Sequence, residues 1–153
     1  MKVSEYNKKI MRQMAAEGAV LLENKGDILP IRAGETVSVF GRVQTCYYKS
    51  GTGSGGMVNV EYKTGILDGL RANGVPLNEE LASVYADWVT EHPFDNGGSG
   101  WAMEPWFQEE MPLDDALVKK AAENSSLALV VIGRTAQGGR GQLPFDGKGS
   151  RHD

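Results

Sequence analysis

Apolar side chains recur every three or four residues in three stretches of the chain, and this spacing predicts three helices, while Asp114 and Asp115 ahead of Lys119 and Lys120 indicate a fourth. Ser4 and Asn78 are predicted N-caps of the first and third helices, and Gly18 and Gly74 follow the first and second. The predicted ranges are 4–17, 66–73, the residues after Asn78, and 113–124. The residues expected on their apolar faces are Tyr6, Ile10, Met11, Met14, Ile66, Leu67, Leu70, Leu81, Val84, Tyr85 and Trp88.

Uninterrupted apolar runs predict buried strands at Thr36–Gly41 and Leu127–Gly133. The second run carries no charge, which favours a central place in a sheet. Ala19–Asn24 is predicted to be a short extended segment, and Val75–Leu77 a short edge strand.

Helices that separate strands predict an α/β fold: a three-layer sandwich with a largely parallel sheet between helices. The length of 153 residues suits one domain. The periodic pattern ends after Ala136, so residues 1–136 are predicted to form the domain. Residues 137–153 are predicted to be a disordered tail or a segment foreign to the fold.

The composition, with 41% hydrophobic residues, 24% charged residues and a net charge of -4, indicates a packed protein without a nucleic-acid surface. Cys46 is the single cysteine, which excludes an intrachain disulfide, and it reads as a small apolar residue. Neither a signal peptide nor a membrane-spanning run is visible, so a cytoplasmic protein without a membrane partner is expected.

A glycine-rich loop follows the first strand. Gly51–Gly56 satisfies the dinucleotide-binding pattern G-x-G-x-x-G, but no helix follows it and nine residues separate it from Gly41. This context disfavours nucleotide binding. Tyr47, Tyr48 and Lys49 precede the glycines, which favours a wall for a polar ligand over a flexible structural loop.

The long irregular segment His92–Pro112 is a second candidate wall. Trp101 and Trp106 flank Glu104 within it, and sugars stack on indole faces and hydrogen-bond to carboxylates. The alternative is that the tryptophans only cover the sheet, because aromatic side chains bury large areas. Both interpretations stay open on composition alone.

The remaining polar groups give no catalytic set. The carboxylates of Glu109, Glu110, Asp114 and Asp115 lie near the predicted start of the fourth helix, where capping and dipole interactions are expected rather than catalysis. His92 and His152 are isolated, without metal-ligand spacing or a Ser-His-Asp arrangement, so no metal and no cofactor is predicted.

Several of these stretches together resemble glycoside hydrolase family 3, the β-glucosidase family. They are Ala16–Asn24 with Leu29-Pro30, Val37–Gly41, Tyr47–Gly56, Trp101 with Glu104-Pro105-Trp106, and Leu127–Ala136. The resemblance is to the family's α/β-sandwich domain, as in permuted bacterial members where the sandwich precedes the (β/α)8 barrel, which is expected to be absent here. It implies a β-glucoside or another carbohydrate as ligand, bound through Tyr48, Lys49, Ser50, Gly51, Trp101, Glu104, Trp106 and Arg134.

The resemblance also implies a retaining mechanism, in which two carboxyl groups lie about 5 Å apart. The family's nucleophile is an Asp of the barrel, and its acid/base is a Glu that would follow Ala136, where this chain has Gln137-Gly138-Gly139. No catalytic residue is therefore assigned. A single-base frameshift in the codons of Gly139–Gln142 would restore the family's Gly-Glu-Asp, which sequencing of the gene would test.

The sequence thus predicts a fragment of a β-glucosidase that supplies the outer wall of the sugar site and is inactive alone. The alternatives are a stand-alone carbohydrate-binding or assembly module, or a weak hydrolase with a pocket exposed by truncation. An incomplete sheet would leave an open edge, so a homodimer or higher oligomer is expected.

Overall fold

The computed structural model describes residues 4–45, 62–98, 105 and 107–133. The chain divides into two compact units between Arg32 and Ala33. The helices and strands in chain order are α1 (Glu5–Glu17), β1 (Val37–Phe40), α2 (Ile66–Ala72), α3 (Glu79–Glu91), α4 (Asp115–Glu123) and β2 (Leu127–Val130). Short 3₁₀ turns cover Lys25–Asp27 and Arg42–Gln44.

The first unit contains α1, which begins and ends where the sequence predicts. The Ser4 hydroxyl accepts a hydrogen bond from the Asn7 N–H at 3.2 Å, and this bond satisfies one of the free donors of the first turn. The Gly18 N–H donates to the Met14 carbonyl at 2.9 Å and closes the last turn. The predicted apolar face of α1 is exposed along its length, including Tyr6 at 72%.

Residues 19–24 follow without forming a strand, and the side chains of Val20–Leu22 are exposed. Asn24 then fixes the connector, because its side-chain amide donates to the Leu29 carbonyl at 2.9 Å and accepts from the Leu29 N–H at 3.0 Å. Leu29–Ile31 is likewise irregular backbone.

The second unit is built on β1, which has neighbours on both sides. β1 pairs in parallel with β2, and the register runs from Val37 opposite Leu127 to Phe40 opposite Val130. On the other side Val37 forms a single parallel bridge with Leu77, where a short edge strand is predicted. All four β1 residues are buried, as expected for a strand covered on both faces. The predicted α/β class with a parallel sheet is confirmed.

The prediction that Leu127–Gly133 is the central strand is wrong for the part of the sheet described. β2 ends at Val130 and pairs only with β1 among these residues. Its side chains are intermediate or exposed, and Val130 retains 65% exposure. An apolar run shows that a strand can be buried, but its place in the sheet depends on which partners the tertiary fold supplies.

The main core lies between β1, α3 and α4. Phe40 from β1 packs with Leu81 and Tyr85 from α3, Ala121 from α4, and Met111 from the segment before α4. Val84, Trp88 and Leu117 pack against this cluster. The apolar stripe predicted for the third helix therefore forms its buried face.

Side-chain caps fix where α3 and α4 begin. The Asn78 side chain accepts from the Leu81 N–H at 3.2 Å and donates to the Ser38 hydroxyl at 2.9 Å, so it joins α3 to β1. The Asp114 carboxylate accepts from the Leu117 N–H at 2.7 Å. The cap predicted at Asn78 is confirmed, and α4 begins at Asp115, two residues after the predicted Leu113.

Candidate functional site

The carboxyl ends of β1 and β2 lie side by side at one edge of the sheet. The Val131 N–H donates to the Phe40 carbonyl at 2.9 Å, so the two strands leave the sheet together. The segment with the predicted glycine loop follows β1, and the segment with Arg134 follows β2. Loops at the carboxyl ends of parallel strands form the usual ligand sites of α/β proteins.

Gly41 is the residue at which the chain leaves β1, and its backbone permits no side chain. Its φ is +100°, a value that disfavours every residue with a Cβ atom. An added Cβ would lie 2.1 Å from the Val131 carbonyl oxygen. The Gly41 N–H donates to the Tyr85 hydroxyl at 3.0 Å, which ties this exit to α3.

Arg42 follows at once and is 2% exposed. Its guanidinium group donates to the Glu109 carbonyl at 2.6 Å and to the His92 carbonyl at 2.8 Å. Its backbone N–H donates to a Glu110 carboxylate oxygen at 2.8 Å. The two ends of the predicted second wall are thereby held at the carboxyl end of β1.

An aromatic pair lies beside this guanidinium group. The Arg42 guanidinium carbon is 5.3 Å from the Trp88 ring centroid, within the range of a cation–π contact. The Trp88 ring stacks on the His92 ring with centroids 4.3 Å apart. The imidazole Nδ1 is also 3.0 Å from the Trp88 carbonyl oxygen, so His92 packs onto the end of α3.

A second contact closes the segment that carries Trp101, Glu104 and Trp106. The Asp95 N–H donates to the Gln108 side-chain oxygen at 2.7 Å, and the Gln108 amide nitrogen donates to the Asp95 carbonyl at 2.9 Å. The Gln108 side chain is buried at 5% exposure. This pair brings together backbone positions 13 residues apart.

A half-open cavity of about 460 Å³ lies at this closure. Arg42, His92, Asp95, Phe107 and Gln108 are among its lining residues. Polar groups and the exposed Phe107 ring thus line one cavity, beside the two ends of the segment that Arg42 holds.

Burial raises the pKa of the Tyr85 hydroxyl, and the negative charge of Glu110 raises it further, while the hydrogen bond from Gly41 acts in the opposite direction. The hydroxyl therefore stays protonated at neutral pH and accepts the Gly41 bond as a neutral group. Tyr85 is a structural support of the site.

All eight predicted sugar contacts lie outside the described residues. They are Tyr48, Lys49, Ser50, Gly51, Trp101, Glu104, Trp106 and Arg134. Cys46, the tail 137–153 and His152 also lie outside them. These assignments remain predictions.

The prediction that Glu109 and Glu110 serve the start of the fourth helix is wrong. The cap is Asp114, and Asp115 occupies the first turn. The carboxylate of Glu110 and the backbone carbonyl of Glu109 bind Arg42 instead. The reason is tertiary: irregular backbone between residues 107 and 114 carries these two residues back to β1 rather than into α4.

Sequence reasoning assigned no role to Arg42 or Gln108. An arginine directly after a buried strand and a glycine was the available signal, because arginine is almost never fully buried without partners. Its partners lie 50 and 67 residues away along the chain, so the pattern could not identify them.

In the ranges 4–45, 62–98 and 107–133, no three histidine, cysteine or acidic side chains cluster as a metal site would require. Every helix of these ranges is too short or too polar to span a bilayer.

Comparison with known sequences identifies the family of this chain. Residues 19–151 match the glycosyl hydrolase family 3 C-terminal domain. A β-glucosidase of Ruminococcus albus is 58% identical over 133 residues, and β-glucosidase A of Butyrivibrio fibrisolvens is 31% identical over 124 residues. These matches cover 87% and 80% of this chain and span 14% of the length of each relative.

Solved structures agree. A β-glucosidase from Paenibacillus barengoltzii is 59% identical and superposes with a TM-score of 0.83 over 88% of this chain and 15% of that enzyme. β-Glucosidase 3B from Thermotoga neapolitana, solved in complex with α-D-glucose, is 28% identical with a TM-score of 0.74 over 94% of this chain and 20% of that enzyme. This chain therefore belongs to glycoside hydrolase family 3 and matches the family's C-terminal domain.

Proposed function

We propose that this chain supplies the outer wall of the sugar-binding site of a β-glucosidase-type glycoside hydrolase. The observation that carries the proposal is that the segments with the predicted sugar contacts begin, or are held, at one edge of the sheet. The segments leading to the glycine loop and to Arg134 start at the carboxyl ends of paired strands. Arg42 holds both ends of the segment with Trp101 and Glu104 at the same edge.

The chemistry of the predicted contacts suits a neutral sugar. An indole face of Trp101 or Trp106 offers a stacking surface for the C–H groups of a pyranose ring, and the Glu104 carboxylate accepts hydrogen bonds from hydroxyl groups. Glycines after Ser50 let backbone groups approach a ligand closely. The glucose complex of the similar Thermotoga neapolitana enzyme supports a glucose-class ligand.

This chain by itself is proposed to bind the sugar without hydrolysing it. A retaining glycosidase needs a nucleophile and an acid/base, and the sequence has Gln137-Gly138-Gly139 where the resemblance leads us to expect Gly-Glu-Asp. Loss of an enzyme's nucleophile alone lowers turnover by about 10⁶-fold in a well-studied hydrolase.

Calorimetric titration with methyl β-glucoside tests the binding role. Trp101→Ala is expected to weaken the affinity about three- to tenfold, the range of one aromatic contact. Tyr6→Ala is the matched control, since Tyr6 is an exposed aromatic of the other unit. Equal affinities for both variants, or no binding of the glucoside by the unmodified chain, would overturn the proposal.

A second role, in assembly, is favoured by the edge of β2. Val130 and Ile132 are 65% and 83% exposed, and in the described sheet β2 pairs with β1 alone. Exposed apolar edge strands tend to pair with another chain. We propose that two or more copies associate through this edge.

A further inference from the structure

We infer that Arg42 is a positioning residue for the proposed sugar wall. It holds both limbs of the segment that carries Trp101, Glu104 and Trp106: the outgoing limb, residues 92–98, and the returning limb, residues 107–111. This inference rests on the proposed function. Arg42 itself is buried and has no place among the predicted sugar contacts. Its effect on a sugar would pass through the segment.

The guanidinium group spans the two limbs. One terminal nitrogen donates to the carbonyl of His92, which lies where the chain leaves α3. The other donates to the carbonyl of Glu109, on the limb that returns toward α4. A planar fork of donors can satisfy two separated carbonyls at once, and this is a geometry that a lysine ammonium does not provide.

The main chain of Arg42 adds a third contact to the returning limb. Its N–H donates to the Glu110 carboxylate, and a hydrogen bond to an ionised acceptor is stronger than one between neutral groups. Adjacent residues therefore use different groups: Glu110 contributes its side chain, and Glu109 contributes its backbone carbonyl.

Burial makes these contacts costly to lose. Arg42 is 2% exposed, and its Nε atom has no hydrogen-bond partner in the described part of the chain. The side-chain hydrogen bonds of the guanidinium group within the described residues go to the two limbs. Removing the guanidinium group would leave these two part-buried carbonyls without their donor, which favours separation of the limbs and entry of water.

Along the chain, the Asp95–Gln108 pair lies between the residues that Arg42 binds and the predicted sugar contacts, so it would transmit the placement of the limbs. In the sequence, Trp101, Glu104 and Trp106 fall between these two bonded residues. A binding group displaced by about 1 Å loses much of its effect, since binding constellations tolerate roughly 0.5 Å. Loosening the limbs should therefore weaken sugar binding while Trp101 and Glu104 remain unaltered.

Hydrogen exchange of the full 153-residue chain, followed by mass spectrometry, tests the first step. Arg42→Lys and Glu110→Ala should accelerate exchange in peptides covering 93–98 and 107–111 by about tenfold or more, the equivalent of one charged hydrogen bond. Glu109→Ala is the matched control, because it keeps the carbonyl that Arg42 uses. Amides of β1 should keep their protection in all three variants.

Two results would overturn the inference at this step. One is unchanged exchange of both limbs in Arg42→Lys and Glu110→Ala. The other is a rise that is equally large in β1, which would indicate a general loss of stability. Because Glu110→Ala leaves the buried guanidinium in place, it keeps the test valid should Arg42→Lys fail to fold.

Titration with methyl β-glucoside tests the second step. Arg42→Lys should lower the affinity about tenfold, and Glu109→Ala should leave it unchanged. Unaltered affinity in a variant whose limbs exchange faster would overturn the positioning role. If the unmodified chain binds no glucoside, the proposed function fails and the role in sugar binding fails with it. The exchange data would still show whether Arg42 holds the two limbs.

Discussion

Gly41 directly follows β1, and the backbone of Val131, which directly follows β2, lies against it. The backbone φ of +100° and the Val131 carbonyl oxygen act together, because each alone disfavours a side chain. The residue therefore fixes both the direction in which the chain leaves β1 and the spacing between the two strand ends. The exit toward the glycine loop depends on it.

Replacement of Gly41 by alanine is expected to destabilise the chain by about 3 kcal/mol or more, since overpacking against backbone adds to the cost of positive φ. Gly34→Ala is the matched control: Gly34 has a φ of +86° and no atom within 4 Å of an added Cβ. It should cost only about 1–2 kcal/mol. Urea unfolding measures both, and equal losses would contradict the close approach at Gly41.

The Tyr85 hydroxyl gives a pH-dependent prediction. Its pKa is raised above the ordinary value of 10.0, because burial disfavours the phenolate. The stabilisation from the neutral hydroxyl is therefore complete below pH 10 and is lost as the pH rises through the folded-state pKa.

Tyr85→Phe should cost about 1–2 kcal/mol at pH 7, because the Gly41 N–H loses its acceptor. The difference in unfolding free energy between the two proteins should shrink as the pH rises above about 10. Urea unfolding at several pH values measures it, and a difference that stays constant or grows would contradict the assigned pKa direction.

The residues missed by sequence reasoning share one property, which is that their partners are distant in the chain. Ser4 and Asn78 could be predicted as caps because each binds an N–H three residues later, whereas the helix predicted from Leu113 includes Asp114, which is its actual cap. Arg42 and Glu110 could not be paired, because 68 residues separate them. A hydrogen bond between residues three positions apart can be predicted from the sequence, whereas the partners of a buried long-range contact cannot.

At the scale of elements, the periodicity of apolar residues and the caps predict that the helices exist. The order of the strands in the sheet cannot be predicted in this way. The apolar stripe of α3 is buried as predicted, because a helix with one apolar face must cover it. β2 lies beside β1 rather than at the centre of the described sheet, because pairing depends on partners that an apolar run does not specify. The face of α1 was predicted from the same periodicity as α3, yet it is exposed.

The two helix caps should differ in their contribution to stability. Asp114→Ala removes one cap bond at an exposed site and should cost about 1 kcal/mol. Asn78→Ala should cost about 2–3 kcal/mol, because it also removes the buried bond to Ser38. Thermal and urea unfolding of the two variants measure this, and equal costs would show that the Asn78–Ser38 bond contributes nothing.

At the scale of the whole molecule, the family could be recognised from motifs before any fold was known. The match over residues 19–151 confirms it, and it extends beyond Ala136, where the apolar pattern ends. The fold class followed from element order. The sugar contacts rest on motifs outside the described residues, and the chain spans 14% of the length of its curated relatives.

The open edge of β2 leads to a prediction about assembly. The unmodified chain is expected to form dimers or larger oligomers in light scattering at high concentration. Val130→Lys should shift it toward the monomer, since a charge on an edge strand opposes pairing. Val118→Lys, at an exposed position of α4, is the matched control and should leave the mass unchanged. A monomeric mass for the unmodified chain would contradict edge association.

The central claim is that this chain binds a β-glucoside and does not hydrolyse it. Ligand-observed NMR of an aryl β-glucoside with the purified chain reports both, because saturation transfer detects contact and the aglycone signals detect hydrolysis over time. We expect transfer to the intact glucoside and no released aglycone. Absence of transfer would contradict the sugar-wall role. Hydrolysis that persists through purification and falls in Glu104→Ala would show that the chain contains its own catalytic groups.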